Sequence, residues 1–184
     1  MQWTRWFFAA GISFGLLSAG IVSAVAAGPG RQMLHGHVPA AVGKLSAVGN
    51  FPPTNQLHLA IGLPLRNPAA LDELLQQIYD PASPKFRQYL TPGQFTEQFG
   101  PTESDYQRVI AFAQSNGLTV TATHGNRVLL DVSGSVWAIE KMFNVTLRLY
   151  QHPREPREFF APDVEPSVDL DVPLADVSGL NNYA

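Results

Sequence analysis

The chain has 184 residues, 45% of them hydrophobic and 15% charged, with a formal net charge of -3 and no cysteine. That composition supports a packed core and one domain of ordinary size plus tails. It excludes a disordered polyelectrolyte, a basic footprint for nucleic acid, disulfides, thiolate metal sites and a cysteine nucleophile.

Residues 1–27 read as an export signal. Arg5 precedes an apolar run from Trp6 to Val25, and Ala24-Val25-Ala26 suits cleavage after Ala26 or Ala27. The rival is an uncleaved anchor, because the run is nearly long enough to span a bilayer. Its Gly, Ala and Ser content makes a weak anchor. The expectation is therefore an exported protein, secreted or periplasmic, with no stable membrane association after cleavage. Residues 28–53 form a Gly/Pro/Ala-rich lead-in with no period, expected to be flexible. His35 and His37 flank a glycine there, but two imidazoles do not close a metal site.

Residues 54–151 carry the periodic segments. Leu57, Leu59, Ile61, Leu63 and Leu65 alternate on one face of a strand. Asn67-Pro68 supplies a cap and a first-turn proline for a helix with Leu71, Leu74, Leu75 and Ile78 on its apolar stripe, ending before Pro81. Thr91-Pro92-Gly93-Gln94 has capping-box spacing and opens a short helix with Phe95 and Phe99 one turn apart. Gly100 ends it. Thr102 caps a third helix burying Tyr106, Val109, Ile110 and Ala113, closed by Asn116-Gly117. Leu118–Thr123 and Arg127–Val132 are two strands around a His124-Gly125-Asn126 turn. Ser133 or Ser135 caps a fourth helix burying Val136, Ile139 and Met142 or Phe143, and Val145–Tyr150 alternates again.

Strand, helices, strand, strand, helix, strand is the order of an α+β ferredoxin-like split βαβ sheet, with extra helices in the first crossover. The first and third strands are expected at the centre, and the second and fourth, richer in Thr and Arg, at the edges. Residues 152–184, spaced by Pro153, Pro156, Pro162, Pro166 and Pro173, read as an extended tail with one short strand near Phe159-Phe160.

Catalytic signals are weak. GISFG at Gly11–Gly15 has the nucleophile-elbow spacing but lies inside the leader, without the strand and helix that an elbow needs. Ser133-Gly134-Ser135 is better explained as a strand-to-helix turn with a cap. Five histidines lie scattered, and no metalloprotease, P-loop or dinucleotide pattern is present. Asn144-Val145-Thr146 is a glycosylation sequon in a tight helix-to-strand junction. These residues assign no catalytic and no metal-binding role.

The most distinctive stretch is YDPASPKFRQYLTPGQFTEQFGPTESDY, from Tyr79 to Tyr106. It resembles the activation domain of the sedolisin/kumamolisin family of serine-carboxyl peptidases. The shared pattern falls on Asp80, Pro81, Ser83, Pro84, Phe86, Tyr89, Leu90, Thr91, Pro92, Phe95, Phe99, Gly100 and Pro101. The strand-strand-helix-strand run from Asn116 to Pro153, and VSGLNN at Val177–Asn182, are similar to the same family. The resemblance spans roughly Val38 to Asn182. It implies a pro-domain that assists folding of a subtilisin-like peptidase and blocks its cleft until acid-triggered processing. It also implies that the peptidase's catalytic residues and its calcium belong to a domain that would begin where this chain stops. This chain is then expected to act on that domain in cis or in trans, or to be a stand-alone exported binding module. The tail would thread toward the cleft, with Asp163, Glu165, Asp169, Asp171 and Asp176 either an acid switch, if they pair with enzyme cations, or a merely solvated acidic tail. Whether the motif's aromatics pack on their own sheet or on a partner is open at this stage.

Overall fold

A computed structural model describes residues 30–184, so Ala26, Ala27 and the rest of the export signal lie outside the described residues. Chain order runs β1 (Gln32–Met33), a 3-10 turn at Val42–Lys44, β2 (Ala47–Asn50), β3 (Gln56–Gly62), α1 (Pro68–Tyr79), α2 (Pro92–Phe99) and α3 (Glu103–Ser115). Then come β4 (Thr119–Thr123), β5 (Leu129–Ser135), α4 (Val136–Phe143), β6 (Leu147–Gln151), β7 (Glu158–Pro162), β8 (Ser167–Val168) and β9 (Asp176–Ser178).

The strands form three antiparallel sheets, ordered β4-β5-β3-β9, β2-β6-β7 and β1-β8. In the four-stranded sheet β3 and β5 are central, as their alternation predicts. Leu59, Ile61, Leu130 and Val132 point to one side, against Val109 and Ala113 of α3 and Val136, Ile139, Met142 and Phe143 of α4.

The ferredoxin-like expectation needs correcting at its fourth strand. That strand, β6, is not an edge beside β3 but the centre of a separate sheet. Both of its faces are apolar in their surroundings. Leu149 faces Phe160, which stacks on Phe51 at 4.5 Å between ring centroids, while Tyr150 faces Phe159 on the other side. An edge slot would leave one of these faces wet. The slot beside β3 goes to β9, where Val177 lies opposite Ile61 and is buried.

The lead-in and the tail are also corrected. From Arg31 to His37 the chain is an arm laid on the C-terminal segment. Arg31 donates to the Ser167 carbonyl at 2.7 Å. The Gln32 amide both accepts from Leu174 N at 2.7 Å and donates to the Val172 carbonyl at 3.1 Å. Residues 152–184 do not dangle: Val168, Val172, Leu174, Val177 and Leu180 lie in the main core. At about 1.5–3 kcal/mol per fully buried aliphatic side chain, these residues contribute on the order of 10 kcal/mol of gross burial. Recurring prolines signalled an extended chain; extended chain is also what completes sheet edges.

Two local corrections follow. Asn67 precedes α1 in the left-handed region (φ 51°) and makes no side-chain cap. β5 runs on through the Ser133-Gly134-Ser135 stretch, paired with His58, Leu57 and Gln56, so only Ser135 caps α4, accepting from Ala138 N at 3.3 Å.

Candidate docking face

α3 and α4 cover one side of the four-stranded sheet, and the other side is open. Register places three rows there: Thr119, Ser133 and His58; then Ala122, Asp131, Ala60 and Ser178; then Leu129, Gly62 and Asp176. All of these side chains are exposed or half-buried. Small side chains keep the surface low, leaving a shallow depression of about 440 Å3 over His58, Ala60, Thr121, Asp131 and Ser178. His124, in the turn after β4, reaches back to pair with Asp131 at 3.0 Å. Ser133 lies opposite His58 in register, but among the described residues neither Ser133 nor Ser135 is hydrogen-bonded to a histidine.

Gly179 closes one side of this face. It has φ +98°, and a Cβ there would sit 2.5 Å from the His58 carbonyl oxygen. Backbone meets backbone at that point, so only glycine fits. This gives a physical reason for the glycine in VSGLNN.

The motif segment is a succession of side-chain-capped turns. Asp80 Oδ1 accepts from Ala82 N at 2.9 Å, and Ser83 Oγ accepts from Lys85 N at 3.1 Å. Pro81 and Pro84 follow those two capping residues and stiffen each turn. The Gln88 amide donates to the Pro84 carbonyl at 2.8 Å. Thr91 and Gln94 form the full capping box of α2, with Pro92 in its first turn. Phe95 and Phe99 pack at 5.5 Å between centroids. At Gly100 a Cβ would lie 2.7 Å from the Thr96 carbonyl oxygen of α2 and 3.0 Å from the Asn126 carbonyl oxygen of the β4–β5 turn, so the two meet there only through glycine. Phe99, Gly100 and Pro101 are buried; Phe86, Leu90 and Phe95 are half-buried; Tyr89 is 62% exposed. None of the five motif side chains Phe86, Tyr89, Leu90, Phe95 and Phe99 joins the main core.

Four of the five tail acids sit on groups of their own chain. Asp163 accepts from Thr146 N at 2.9 Å and lies 3.6 Å from Arg148. Glu165 accepts from Gly36 N and His37 N at 3.1 and 3.0 Å. Asp171 pairs with Arg108. Asp176 accepts from the Ser178 hydroxyl at 3.0 Å and lies 3.6 Å from the buried His37 ring. Asp169 has no charged partner within 4.0 Å among the described residues. His37 is thus packed under the tail rather than joined to the exposed His35.

The family sequence pattern described as "Pro-kumamolisin, activation domain" matches residues 44–174, well over half of the chain. The chain belongs to the pro-kumamolisin activation domain family. It is 36% identical over 141 residues to xanthomonalisin of Xanthomonas sp. (strain T-22), covering 76% of this chain and 17% of that protein. It is 36% identical over 94 residues to sedolisin of Pseudomonas sp. (strain 101), covering 51% of this chain and 16% of that protein. Kumamolisin of Bacillus sp. (strain MN-32) is 27% identical over 153 residues, covering 82% of this chain and 27% of that protein. The chain therefore spans less than a fifth of the length of the first two relatives. Among its described residues no helix is long and apolar enough to cross a membrane. In this pro-kumamolisin activation domain the open sheet, the motif turns and the interlocked ends are the features available for contact with a partner.

Proposed function

We propose that this chain is the exported pro-domain of a sedolisin-type serine peptidase. It acts as a folding template and as a cleft-blocking inhibitor, in cis or in trans, until acid-triggered processing. The observation that carries this reading is the family match over residues 44–174, in a chain whose relatives extend far beyond the matched part. The open sheet face is the surface that such a partner would cover. Strands of 5, 7, 7 and 3 residues, about 4.8 Å apart and rising about 3.4 Å per residue, offer roughly 350 Å2. A stable complex of standard size needs about 800 Å2 on each side. The partner must therefore also touch the rim, where the β4–β5 turn and residues 179–183 lie. Calcium and the catalytic residues belong, in this reading, to the peptidase part and not to this chain. Cleavage after Ala26 or Ala27 would leave the Arg31–His37 arm intact.

The test is inhibition of a matured sedolisin-type peptidase, such as xanthomonalisin, by the added chain across pH. Inhibition at neutral pH that is lost in acid is expected. Ala60→Arg, which raises a long cation from the middle of the open face, should weaken inhibition at least about tenfold with unchanged unfolding. No inhibition at neutral pH, or inhibition unaltered in acid, would count against the proposal.

A further inference from the structure

His152 follows β6 and is 8% exposed. Its Nδ1 accepts the backbone N–H of Arg154 at 3.3 Å and of Glu155 at 3.0 Å. These are the residues two and three positions on, the pattern an Asx side chain makes in a turn. With two N–H groups aimed at it, Nδ1 carries the lone pair, and the ring proton of the neutral imidazole is on Nε2. The ring packs against Tyr183 at 5.0 Å and edge-on against Phe159 at 5.9 Å. The same turn aims Arg157. His152 N donates to the Arg157 carbonyl at 2.9 Å, and the Arg157 guanidinium donates to the carbonyls of Asn182 and Tyr183 at 2.8 and 2.9 Å. Asn182 Oδ1 in turn accepts from Phe160 N at 2.7 Å.

We propose that His152 is a proton-operated clasp on the C-terminal residues Asn182 and Tyr183. A proton on Nδ1 turns an acceptor into a donor facing two donors. Both bonds to the 154–155 turn are lost, the ring must rotate, and Tyr183 loses the tilted imidazole packed against it while Arg157 loses its aim. The other charged and titratable groups around the ring are Arg154, Glu155 and Arg157 in the turn, Tyr150 on β6, Tyr183, and Lys44 on the 3-10 turn beside Tyr183 and Arg154. Arginine, lysine and tyrosine keep one charge state through the imidazole range. Burial, followed by the Asp163 charge, pushes the Tyr150 phenol further up. Arg157 holds the Glu155 carboxyl below its usual 4.5, so it stays ionised above that pH. In this proposal the added proton goes to the imidazole, where it joins the three cations Arg154, Arg157 and Lys44.

The inference stands on the chain's own geometry, independent of the pro-domain reading, and its test uses no peptidase. Amide hydrogen exchange is followed by NMR in the 184-residue chain between about pH 7.5 and about pH 5, corrected for intrinsic rates. The amides of Arg154, Glu155 and Phe160 should lose about tenfold in protection, while those of Ile61 and Val132 in the central strands hold. His152→Asn, whose Oδ1 accepts the same two N–H groups and does not titrate, should keep protection at both ends of the range. His152→Phe should lack it throughout; should that variant fail to fold, the wild type and His152→Asn decide. Side-chain 15N shifts should place the His152 proton on Nε2 at neutral pH. The proposal is overturned by a neutral ring with its proton on Nδ1, by a wild type that keeps protection in acid, by His152→Asn following the wild-type curve, or by loss at Ile61 and Val132 in step with the turn.

Discussion

Tyr106 joins three elements through one oxygen. From α3 its hydroxyl donates to the Leu129 carbonyl on β5 at 2.7 Å and accepts from His124 N, just past β4, at 3.1 Å. The ring is buried, and burial is the main reason its phenol is pushed above the usual 10.0; the His124 N–H pulls the other way, and Asp131 and Glu103 add to the rise. A group with a raised folded pKa contributes stability that is full below the unfolded value and lost as pH climbs through the folded one. Tyr106→Phe should therefore do two things. At neutral pH it should cost about 1–3 kcal/mol, because it leaves a carbonyl and an N–H without a partner. Above about pH 10 its stability should fall less steeply than the wild type's. Urea unfolding at neutral and alkaline pH reads both; equal alkaline slopes would rule out the linkage.

Among the elements, α2 is short, eight residues long, and its C-terminal end is held by arginines rather than by its own length. Arg66 donates to the Gly100 carbonyl, and to that of Glu97 at 2.7 Å. Arg127, in the left-handed region at φ 59°, donates to the Pro101 carbonyl at 2.8 Å and meets the carboxylates of Glu97 at 3.0 Å and Glu103 at 3.5 Å. The Arg127 side chain is 14% exposed and its two acids are 74% and 64% exposed. Exposed ion pairs contribute little, whereas a buried guanidinium bond to a carbonyl is costly to remove. Arg127→Ala should cost about 1–3 kcal/mol, and Glu97→Gln or Glu103→Gln less than about 1 kcal/mol each. Should the two acid variants match Arg127→Ala in thermal unfolding, the ion pairs rather than the carbonyl bond would be holding the junction.

For the whole molecule, the two ends interlock. The arm buries Leu34, and its backbone meets Pro166 and Glu165, while Asn181 Nδ2 donates to the His37 carbonyl at 3.3 Å. A chain begun at Val38 loses that leucine and leaves the Glu165 carboxylate without its two N–H donors. Against a chain begun at Gly28 it should unfold about 3 kcal/mol more easily in urea. Equal midpoints would show that the arm is dispensable. The interlock also changes how the tail acids are read: four of the five already face donors or cations in their own chain, Glu165 and Asp176 on the N-terminal arm, Asp163 at β6 and Asp171 at α3, before any partner is present.

What the sequence by itself determined is local. The Thr91 capping box, the Thr102 cap on Asp105 N at 3.0 Å, the left-handed Gly117 and the inward alternation of β3 follow from groups within a few residues of one another, where spacing is enough. The pairing of β3 with β5 and of β5 with β4 was legible too, because a short turn and two apolar strands leave few other partners. The long-range choices were decided by tertiary structure. Whether β6 or β9 lies beside β3 depends on which strand has both faces covered: Phe51 and Phe160 lie on the Leu149 face, and the second face, that of Tyr150, packs with Phe159, Val42, Leu45 and Tyr183, which lie outside any local window. Likewise nothing around His152 marks it: its meaning comes from two N–H groups in its own turn and a tyrosine 31 positions on, brought together only when the chain's end folds back. Periodicity reports which side of an element is dry; it carries no information about which distant segment does the drying.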